Sequence, residues 1–375
     1  MNIAIGIVRL FASGGLQRDC LALHDILRAR GHQVRLFTAR CDLPDGDRDV
    51  VLLPARGLTN HGRDLSFARA FRAATRRGFD LVLGCNMLLG LDVLYCADRL
   101  VGARGLPAWR RWLPRYRSRL ALERACFSAE STTRGLVLSH AAAEAARVQW
   151  QTPDARLTVL PPTVSAGRIR PQLRSGVERG RKRAELGLAE SDLALLWVAA
   201  QPKTKGLDRA LAALAVTPDA RLLIAGLGAD ERKSAPYARQ AARLGVAARV
   251  DWLGMREDIP ELMAAADLLV HPARYDTTGQ VILEAVANGL PVIATAACGF
   301  AEHVAAADAG LVLPEPFEAG DLAAALRRAR PRSQRDAWSR NALQYASGRN
   351  FTSGLAHAAD LVERIAAARP SGARP

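Results

Sequence analysis

The chain has 375 residues, of which 49% are hydrophobic and 24% are charged, and its formal net charge is +15. This length exceeds what one hydrophobic core normally supports and therefore predicts two domains. The composition is typical of a soluble globular protein, and no stretch of ~18 apolar residues predicts a membrane-spanning helix. The basic surplus favours anionic partners, which include phosphorylated substrates, nucleic acid and an anionic membrane surface.

The six cysteines are scattered along the sequence, and no two of them form a C-x-x-C pair. This spacing argues against a disulfide framework or a zinc site and is typical of a protein in a reducing compartment. Residues 1–8 form a short apolar run without a preceding basic residue, so they predict a first strand and not a signal peptide. We therefore expect a cytoplasmic protein.

Strand-like and helix-like segments alternate through the first part of the chain. A first strand is predicted at residues 3–8, followed by a glycine-containing loop and a helix over residues 16–30 with one apolar face. Further strands are predicted at residues 33–38, 50–53, 81–84, 93–95 and 136–138. Such alternation predicts a parallel sheet covered by helices.

Pro161 and Pro162 end this first series, and the basic stretch that follows them lacks apolar periodicity and predicts a linker. A second alternating series begins at residue 193. Its strands are predicted at residues 193–199, 221–225, 249–253, 268–271, 292–294 and 311–313, and the last helices at 321–330, 333–347 and 353–368.

These two series predict two Rossmann-like, doubly wound α/β domains. The N-terminal domain is predicted at residues 1–163 and the C-terminal domain at 164–350, with the helix in 351–369 packing back on the first domain. Ligands of such sheets bind at the carboxyl ends of the strands, so we expect the site in a central cleft that both domains face.

Two predicted strand-to-helix loops carry groups that suit a diphosphate. In the first, Gly14 and Gly15 let backbone N–H groups approach an anion, and Asp19 follows one turn into the helix. In the second, Lys203 and Lys205 offer ammonium donors for phosphate oxygens. The alternatives are a tight turn with a favourable helix acid in the first loop, and a solvated loop in the second.

The segment of residues 271–292 is the most informative. His271 ends a predicted strand, Asp276 lies in the loop, and Gly279 opens a helix that carries Glu284 in an apolar stretch. An unpaired carboxylate would be costly there, and ribose hydroxyls would supply donors to it. The first N–H groups of the helix, around Gly279 and Gln280, would point at a diphosphate.

The two acids eight residues apart, with Gly-Leu-Pro-Val at residues 289–292, resemble the E-x7-E signature of retaining family-four glycosyltransferases. Asp276 stands where the family usually has Glu. The wider pattern resembles the lipopolysaccharide core glucosyltransferase I enzymes, which usually have Arg-Lys where this chain has Thr204-Lys205. The matching segments cover nearly the whole chain and are residues 14–19, 59–63, 90–93, 115–117, 123–125, 160–162, 205–209, 264–269 and 298–300.

The resemblance implies a GT-B fold and a metal-independent, retaining hexosyltransferase. The donor would be a UDP-sugar, with glucose as the expected hexose, and the acceptor a heptose of the lipopolysaccharide inner core at the cytoplasmic face of the inner membrane. The UDP-sugar would be a co-substrate, and the resemblance implies neither a cofactor nor a metal.

The resemblance also assigns roles by position. Asp19 would lie near the reacting sugar, Asp276 would hold the donor sugar, and Lys205 would supply charge to the diphosphate. These three are the expected catalytic residues. The expected donor-binding residues are Gly14, Gly15, Arg168, Lys203, Thr204, Lys205, Gly279, Gln280, Val281 and Glu284, of which Glu284 would hold the ribose.

Residues 99–124 contain eight arginines that only Glu123 opposes, with tryptophan, tyrosine and leucine interleaved. This composition suits an anionic lipid interface, so we expect the inner-membrane surface as a partner. Pro114 favours two helical pieces with a kink between them. The alternatives are an ordinary surface helix and a site for single-stranded nucleic acid, but no recognised nucleic-acid module accompanies the stretch and no such partner is expected.

Two other functions remain open from the residues. A UDP-sugar 2-epimerase would share the fold but would need no acceptor. A non-catalytic basic protein that binds membrane or nucleic acid would accommodate the departures at Thr204 and Asp276. His61 and His140 are candidates either for a general base or for structural roles, and His61 is the better candidate for a base. His271, at a strand end before Pro272, would either face the cleft or pack in the core.

Overall fold

The computed structural model describes residues 1–11, 14–44, 48–101, 108–174 and 176–368, with the backbone alone for Ala108 and Arg111. The chain divides into two compact units. The first comprises residues 1–162 together with the C-terminal segment that begins at Ser353, and the second is Thr163–Thr352.

The first unit is built on a parallel sheet. Across the described residues it has seven strands in the order β3-β2-β1-β4-β5-β6-β7, and every neighbouring pair is parallel. The strands are β1 (Asn2–Leu10), β2 (Gln33–Cys41), β3 (Val50–Leu52), β4 (Leu81–Gly84), β5 (Val93–Cys96), β6 (Arg134–Val137) and β7 (Leu157–Val159).

The second unit repeats this architecture. Its described residues form a six-stranded sheet in the order β10-β9-β8-β11-β12-β13, again with parallel neighbours. The strands are β8 (Leu193–Val198), β9 (Ala220–Ala225), β10 (Val250–Gly254), β11 (Leu268–His271), β12 (Val292–Thr295) and β13 (Gly310–Leu313). The prediction of two doubly wound α/β domains is confirmed.

Helices connect the strands and cover the sheets. They are α1 (Gly15–Ala29), α2 (Asn60–Ala74), α3 (Pro114–Phe127), α4 (His140–Trp150), α5 (Val177–Glu185), α6 (Leu207–Ala215), α7 (Ala235–Arg243), α8 (Ile259–Ala265), α9 (Gln280–Ala287), α10 (Ala301–Ala306), α11 (Ala319–Ala329), α12 (Arg332–Ser347) and α13 (Gly354–Ala367). Within the described residues, none of them combines the length and the apolar composition needed to cross a bilayer.

The hydrophobic pattern explains how each unit closes its core. In the first unit, the odd-numbered isoleucines of β1 are buried against Leu23 and Leu27, which lie one turn apart on α1. In the second, Leu195 and Trp197 lie two residues apart on the same face of β8 and pack in one cluster with Leu211 of α6. Alternate residues of the same strands face helices on the other side, so both faces of each sheet are buried.

The last helix, α13, belongs to the first unit and packs against α1. Ala358 and Val362 join the same buried cluster as Leu23 and Leu27. Outside that apolar contact, Arg30 at the end of α1 donates to Asp360 at 2.8 Å and to Glu363 at 2.9 Å. The chain therefore returns to its first unit after completing the second.

The basic stretch after Pro162, predicted as a linker, is part of the second unit, and this prediction is wrong. Arg174 donates to the carbonyl oxygens of Met263 and Ala266, both at 3.1 Å. Arg179 and Arg183 on α5 bind the carboxylate of Asp267 at 2.7 and 3.2 Å. These arginines satisfy the carbonyl end of α8, where cations are favoured, so the charges serve folding.

The strand order places a topological switch point in each sheet. In the first unit the chain runs from β1 outward through β2 and β3 and returns to β4 on the other side of β1. In the second it runs from β8 through β9 and β10 and returns to β11. Ligands of open α/β sheets bind at such points, beside the carboxyl ends of the strands. The glycine loop follows β1 and the lysine loop follows β8, so both predicted loops lie at these points.

Candidate functional site

The loop after β8 lies directly on the loop after β11. The backbone N–H of Arg274 donates to the carbonyl of Thr204 at 2.8 Å, and its guanidinium donates to the carbonyl of Lys203 at 2.9 Å. The same guanidinium binds both carboxylate oxygens of Asp208 at 2.7 and 2.6 Å. Gly206 has φ of +70°, and a Cβ there would lie 2.0 Å from the carbonyl oxygen of Pro272. Only glycine allows this approach of the two loops.

Lys205, Asp276 and His271 meet where these loops touch, and we call them the Asp276 triad. Oδ2 of Asp276 lies 2.6 Å from Nζ of Lys205 and 2.9 Å from Nε2 of His271. The His271 side chain is 1% exposed, that of Asp276 14% and that of Lys205 20%. One carboxylate oxygen therefore accepts from two basic groups in a largely buried setting.

Electrostatics keep His271 and Asp276 charged. Burial by itself would lower the pKa of His271, but the hydrogen bond to Asp276, the neighbouring Cys298 thiol and the Asp276 charge outweigh it and raise this pKa to about 9. Burial would raise the pKa of Asp276, yet its contacts with His271 and Lys205 outweigh burial and hold it well below its usual range. The triad is thus a carboxylate held between an imidazolium and an ammonium ion.

The loop after β12 holds Asp276 from the other side. The Asp276 N–H donates to the Ala297 carbonyl at 3.2 Å, and its own carbonyl accepts from Gly299 N–H at 3.1 Å. Phe300 N–H donates to the Thr278 carbonyl at 2.6 Å. Three loops at the carboxyl ends of neighbouring strands are therefore tied together around one carboxylate.

Helix α9 begins beside the triad. Gly279 is its N-cap residue, with φ of +77°, and a Cβ there would lie 2.8 Å from Cδ1 of Ile282. The N–H groups of Gln280 and Val281, the first two residues of the helix, precede its own hydrogen-bonding pattern and form an anion-favouring end, whereas Ile282 N–H donates to the Gly279 carbonyl at 2.8 Å. Glu284 lies half-buried one turn further on.

Asn288, at the end of α9, ties a second predicted residue to this helix. Its side-chain amide donates to the carbonyls of Arg168 and Glu284, both at 2.7 Å, and its side-chain oxygen accepts from Arg170 N–H at 2.6 Å. The segment that carries Arg168 is thus fixed on the helix that carries Glu284. The Gln280 side chain adds a hydrogen bond to the Thr163 carbonyl at 3.2 Å.

The predicted residues of the first unit form a separate group at the start of α1. Gly14 is the N-cap residue, and a Cβ there would lie 1.9 Å from Oε1 of Gln17. Asp19 accepts a hydrogen bond from the Tyr95 hydroxyl at 2.9 Å. Burial raises the pKa of Asp19, and the Tyr95 hydrogen bond and Arg18 oppose this only partly.

The structure thus brings the predicted residues together in two sets, one in each unit. Gly14, Gly15 and Asp19 share the start of α1 in the first unit. The second unit holds the others: Arg168, Lys203, Thr204, Lys205, Asp276, Gly279, Gln280, Val281 and Glu284. That the two sets face a common cleft, and that each residue has its assigned role, stay predictions.

Sequence reasoning missed several supporting residues. Tyr95 binds Asp19, Asn288 holds the Arg168 segment, and Nε1 of Trp197 donates to the Lys205 carbonyl at 3.1 Å. No local pattern reveals the Tyr95–Asp19 and Asn288–Arg168 contacts, because they join residues 76 and 120 positions apart in the chain. His140 is exposed, and His61 contacts Thr59 at 3.2 Å, whereas His271 lies in the triad.

No group of three or more His, Cys, Asp or Glu side chains arranged to hold a metal ion occurs among the described residues. The charges that meet at the switch point of the second unit are instead Lys205, His271 and the start of α9. This set suits an anionic ligand, because ammonium groups and helix N-termini both stabilise phosphate oxygens.

The arginine-rich stretch divides at the predicted kink. A 3-10 turn spans Ala108–Trp112, and α3 starts with Pro114 in its first turn. Tyr116 is buried, whereas the side chains of Trp109 and Trp112 are 61% and 79% exposed. The stretch therefore does not carry one continuous apolar face: the tryptophans point outward and the helix residues join the core. Arg104 lies outside the described residues.

Comparisons with known proteins decide the family. The family model Glycosyltransferase Family 4 matches residues 13–168, and Glycosyl transferases group 1 matches residues 178–345. The lipopolysaccharide glucosyltransferase WaaG of Escherichia coli strain K12 is 35% identical over 376 residues, which cover 96% of this chain and 98% of that protein. The chain belongs to this family of glycosyltransferases.

Solved structures agree with this assignment. The crystal structure of WaaG, a glycosyltransferase involved in lipopolysaccharide biosynthesis, matches this chain with a TM-score of 0.86 at 33% identity. The match covers 96% of this chain and 99% of that one. The Anabaena protein HepE in complex with UDP and glucose shares the fold, with a TM-score of 0.71 at 20% identity over 97% of this chain and all of that one. The predictions of a GT-B hexosyltransferase and of its family are confirmed.

Proposed function

We propose that this glycosyltransferase moves glucose from UDP-glucose to a heptose of the lipopolysaccharide inner core, with retention at the anomeric carbon. The similarity to WaaG along 96% of the chain carries the proposal. The site in the second unit supports it, because cationic groups and a helix start meet at the switch point of its sheet.

The donor diphosphate has the chemistry that this site favours. Lys205 would neutralise one phosphate, and Lys203, Arg168 and the N–H groups at the start of α9 would supply further donors. Thr204 offers a hydroxyl where the subfamily usually has arginine, so Lys203 would provide the second cation of the loop. Glu284 would accept hydrogen bonds from the ribose hydroxyls. Gly15 would lend its N–H group from the first unit.

The chemistry of transfer then follows from charge development. Cleavage of the sugar–phosphate bond builds negative charge on UDP and positive charge on the anomeric carbon. Lys205 and the start of α9 stabilise the first charge without reorganising. The leaving phosphate oxygen accepts the proton of the incoming hydroxyl on the same face, so no strong protein base is required. Asp19 would lie near the reacting sugar.

The acceptor is carried by a lipid, and the exposed tryptophans suit that setting. Trp109 and Trp112 project from the turn before α3, and the guanidinium of Arg110 lies 5.4 Å from the Trp109 ring centroid. Outward tryptophans beside arginines favour an anionic membrane surface. We therefore propose that residues 99–124 hold the enzyme on the inner face of the inner membrane.

Transfer is tested by product analysis with a heptose-bearing acceptor and UDP-glucose in EDTA. The expected result is UDP release that depends on the acceptor, with an α-linked glucose on the product. Acceptor-independent release of UDP with a changed sugar would indicate the 2-epimerase, and no UDP binding would indicate a non-catalytic protein. The comparisons favour neither alternative.

Membrane binding is tested with vesicles that contain phosphatidylglycerol. The variant Trp109→Ser/Trp112→Ser should lose most vesicle binding while it retains activity on a water-soluble acceptor. Val148→Ser, which removes an exposed apolar side chain on α4, is the matched control and should bind like the native protein. Equal binding of the native protein to anionic and neutral vesicles would contradict the proposal.

A further inference from the structure

The first acid of the signature is already engaged within the protein. Its Oδ2 atom accepts from both Lys205 and His271, and only 14% of the Asp276 side chain is exposed. Charge-assisted hydrogen bonds of this kind are about twice as strong as neutral ones. Turning Oδ2 toward a sugar hydroxyl would break both of them. Asp is also one methylene shorter than the Glu that the family usually has there, which reduces its reach.

The backbone around the triad is fixed from several directions. Lys205 donates its N–H to the Gln201 carbonyl at 3.0 Å and accepts from Trp197 through its own carbonyl. His271 ends β11 and pairs with Ala294 of β12. Neither residue can follow a displaced Asp276 without breaking these contacts. The backbone of Lys205 is therefore fixed, and its flexible ammonium is held by the contact with Oδ2 of Asp276.

His271 reaches the site only through Asp276. Its side chain is 1% exposed, so a ligand at the surface does not touch it. Its other ring nitrogen, Nδ1, is buried and makes no hydrogen bond of ordinary geometry among the described residues. The single well-formed polar contact of this imidazole is thus the one that orients the carboxylate.

We infer that Asp276 is a positioning residue in this chain. Backed by His271, it holds the Lys205 ammonium where the donor diphosphate binds, and it does not read the hydroxyls of the donor sugar. This inference rests on the proposed function. An ammonium ion has three donors, and the contact with Asp276 uses one of them, so Lys205 can bind a phosphate oxygen while Asp276 holds it. The triad carries one net positive charge, which favours the diphosphate.

The inference separates two ligands, UDP and the sugar attached to it. A residue that positions Lys205 affects the affinity for UDP even when no sugar is attached. A residue that reads the sugar affects discrimination between UDP-glucose and UDP-galactose but leaves UDP binding intact. Calorimetric titration with UDP, together with kcat/KM for both donors, therefore distinguishes the two roles of Asp276.

Asp276→Asn and Lys205→Ala should each weaken UDP binding roughly ten-fold, the effect expected from a lost hydrogen bond to a charged group. The double variant should bind UDP no more weakly than the single variant with the lower affinity, because both changes remove the same Lys205–Asp276 contact. The ratio of kcat/KM for the two donors should stay unchanged in Asp276→Asn.

His271 is tested through its conservative replacement. His271→Gln keeps an N–H donor of similar reach and should retain most UDP affinity, whereas His271→Phe should match Asp276→Asn and add nothing in that background. Asp267→Asn, which changes another buried carboxylate of the same unit, is the matched control and should leave UDP affinity within about two-fold. Thermal unfolding of each variant verifies that it is folded.

The contrary results are distinct. Native UDP affinity in Asp276→Asn, with altered discrimination between the two donors, would overturn the inference and assign Asp276 to the sugar. Additive losses in Lys205→Ala/Asp276→Asn would overturn it as well. Absence of UDP binding by the native protein would overturn the proposed function and the inference together.

Discussion

At each end of strand β11 a largely buried aspartate lies between two basic side chains, but the partners differ. Before the strand, Asp267 binds Arg179 and Arg183, and it also accepts from Ala194 N–H at 2.8 Å. After the strand, Asp276 binds Lys205 and His271.

The arginines at the first end also donate to carbonyl oxygens of the chain, Arg179 to Ala266 and Arg183 to Ala265. Their donors are directed at the protein itself, so this end stabilises the fold. Lys205 and His271 are a flexible ammonium and a titratable ring, and they sit at the switch point of the sheet. Similar burial and charge thus stabilise the fold at one end of the strand, and at the other end we propose that they bind the donor diphosphate.

The largest expected effect is the loss of stability on removing the carboxylate of Asp267. Asp267→Ala leaves one buried and one half-buried guanidinium group, those of Arg183 and Arg179, without their counter-charge and should lower the free energy of unfolding by about 3 kcal/mol or more. Urea unfolding measures this, with Asp208→Ala, a more exposed carboxylate paired with Arg274, as the control that should cost less. Equal losses in both variants would contradict the structural role.

Removing the cation at the other end should affect catalysis more than folding. Lys205→Ala should lower kcat/KM for UDP-glucose roughly 100-fold, or about 2.7 kcal/mol, because charge on the leaving diphosphate is no longer stabilised. Steady-state kinetics measure the loss, and Lys205→Arg, which keeps the charge, should recover part of it. Unchanged kcat/KM in folded Lys205→Ala would place the diphosphate elsewhere.

A further test concerns the second acid, on α9. Glu284→Ala should weaken UDP binding by about 2 kcal/mol because the ribose loses charge-assisted hydrogen bonds. Titration with UDP and with inorganic pyrophosphate separates the contribution of the ribose to binding from that of the diphosphate. Only the affinity for UDP should fall in this variant. Equal losses for both ligands would show that Glu284 acts on the site as a whole.

The last test uses pH, which changes stability gradually and not in one step. His271 has a folded-state pKa of about 9, above its ordinary value of 6.5. Its contribution to stability is therefore complete below about pH 6.5 and is lost as pH rises through about 9, with a slope of at most about 1.4 kcal/mol per pH unit. Asp276, Lys205 and Cys298 are the groups that face this imidazole.

Urea unfolding between pH 6.5 and 9.5 measures this slope, and the same profile for His271→Gln isolates the histidine contribution. The difference between the two profiles should shrink as pH rises. A constant difference across this range would show that His271 is neutral in the folded protein and would remove the imidazolium from the triad.

Much of the fold could be predicted from the sequence. The bounds predicted for β4 and β11, residues 81–84 and 268–271, are those observed, because short buried apolar runs flanked by polar residues are typical of parallel strands. The basic stretch after Pro162 could not be predicted, because its arginines bind carbonyls and a carboxylate more than 80 residues away in the chain.

The candidate site was predicted as a set of residues and not as an arrangement. Its members were found because glycines, lysines and acids stand at predicted strand ends, where ligands bind. The ion pair between Lys205 and Asp276 depends on β8 and β11 being neighbours, which is a property of strand order. Nothing in the local sequence indicates that His271 faces Asp276.

The most direct test of the account is a crystal structure of the protein with UDP bound. We expect the diphosphate within hydrogen-bond distance of the Lys205 ammonium and of the first N–H groups of α9, with Asp276 still bound to Lys205 and His271. A diphosphate bound away from the carboxyl ends of β8 and β11 would contradict the account.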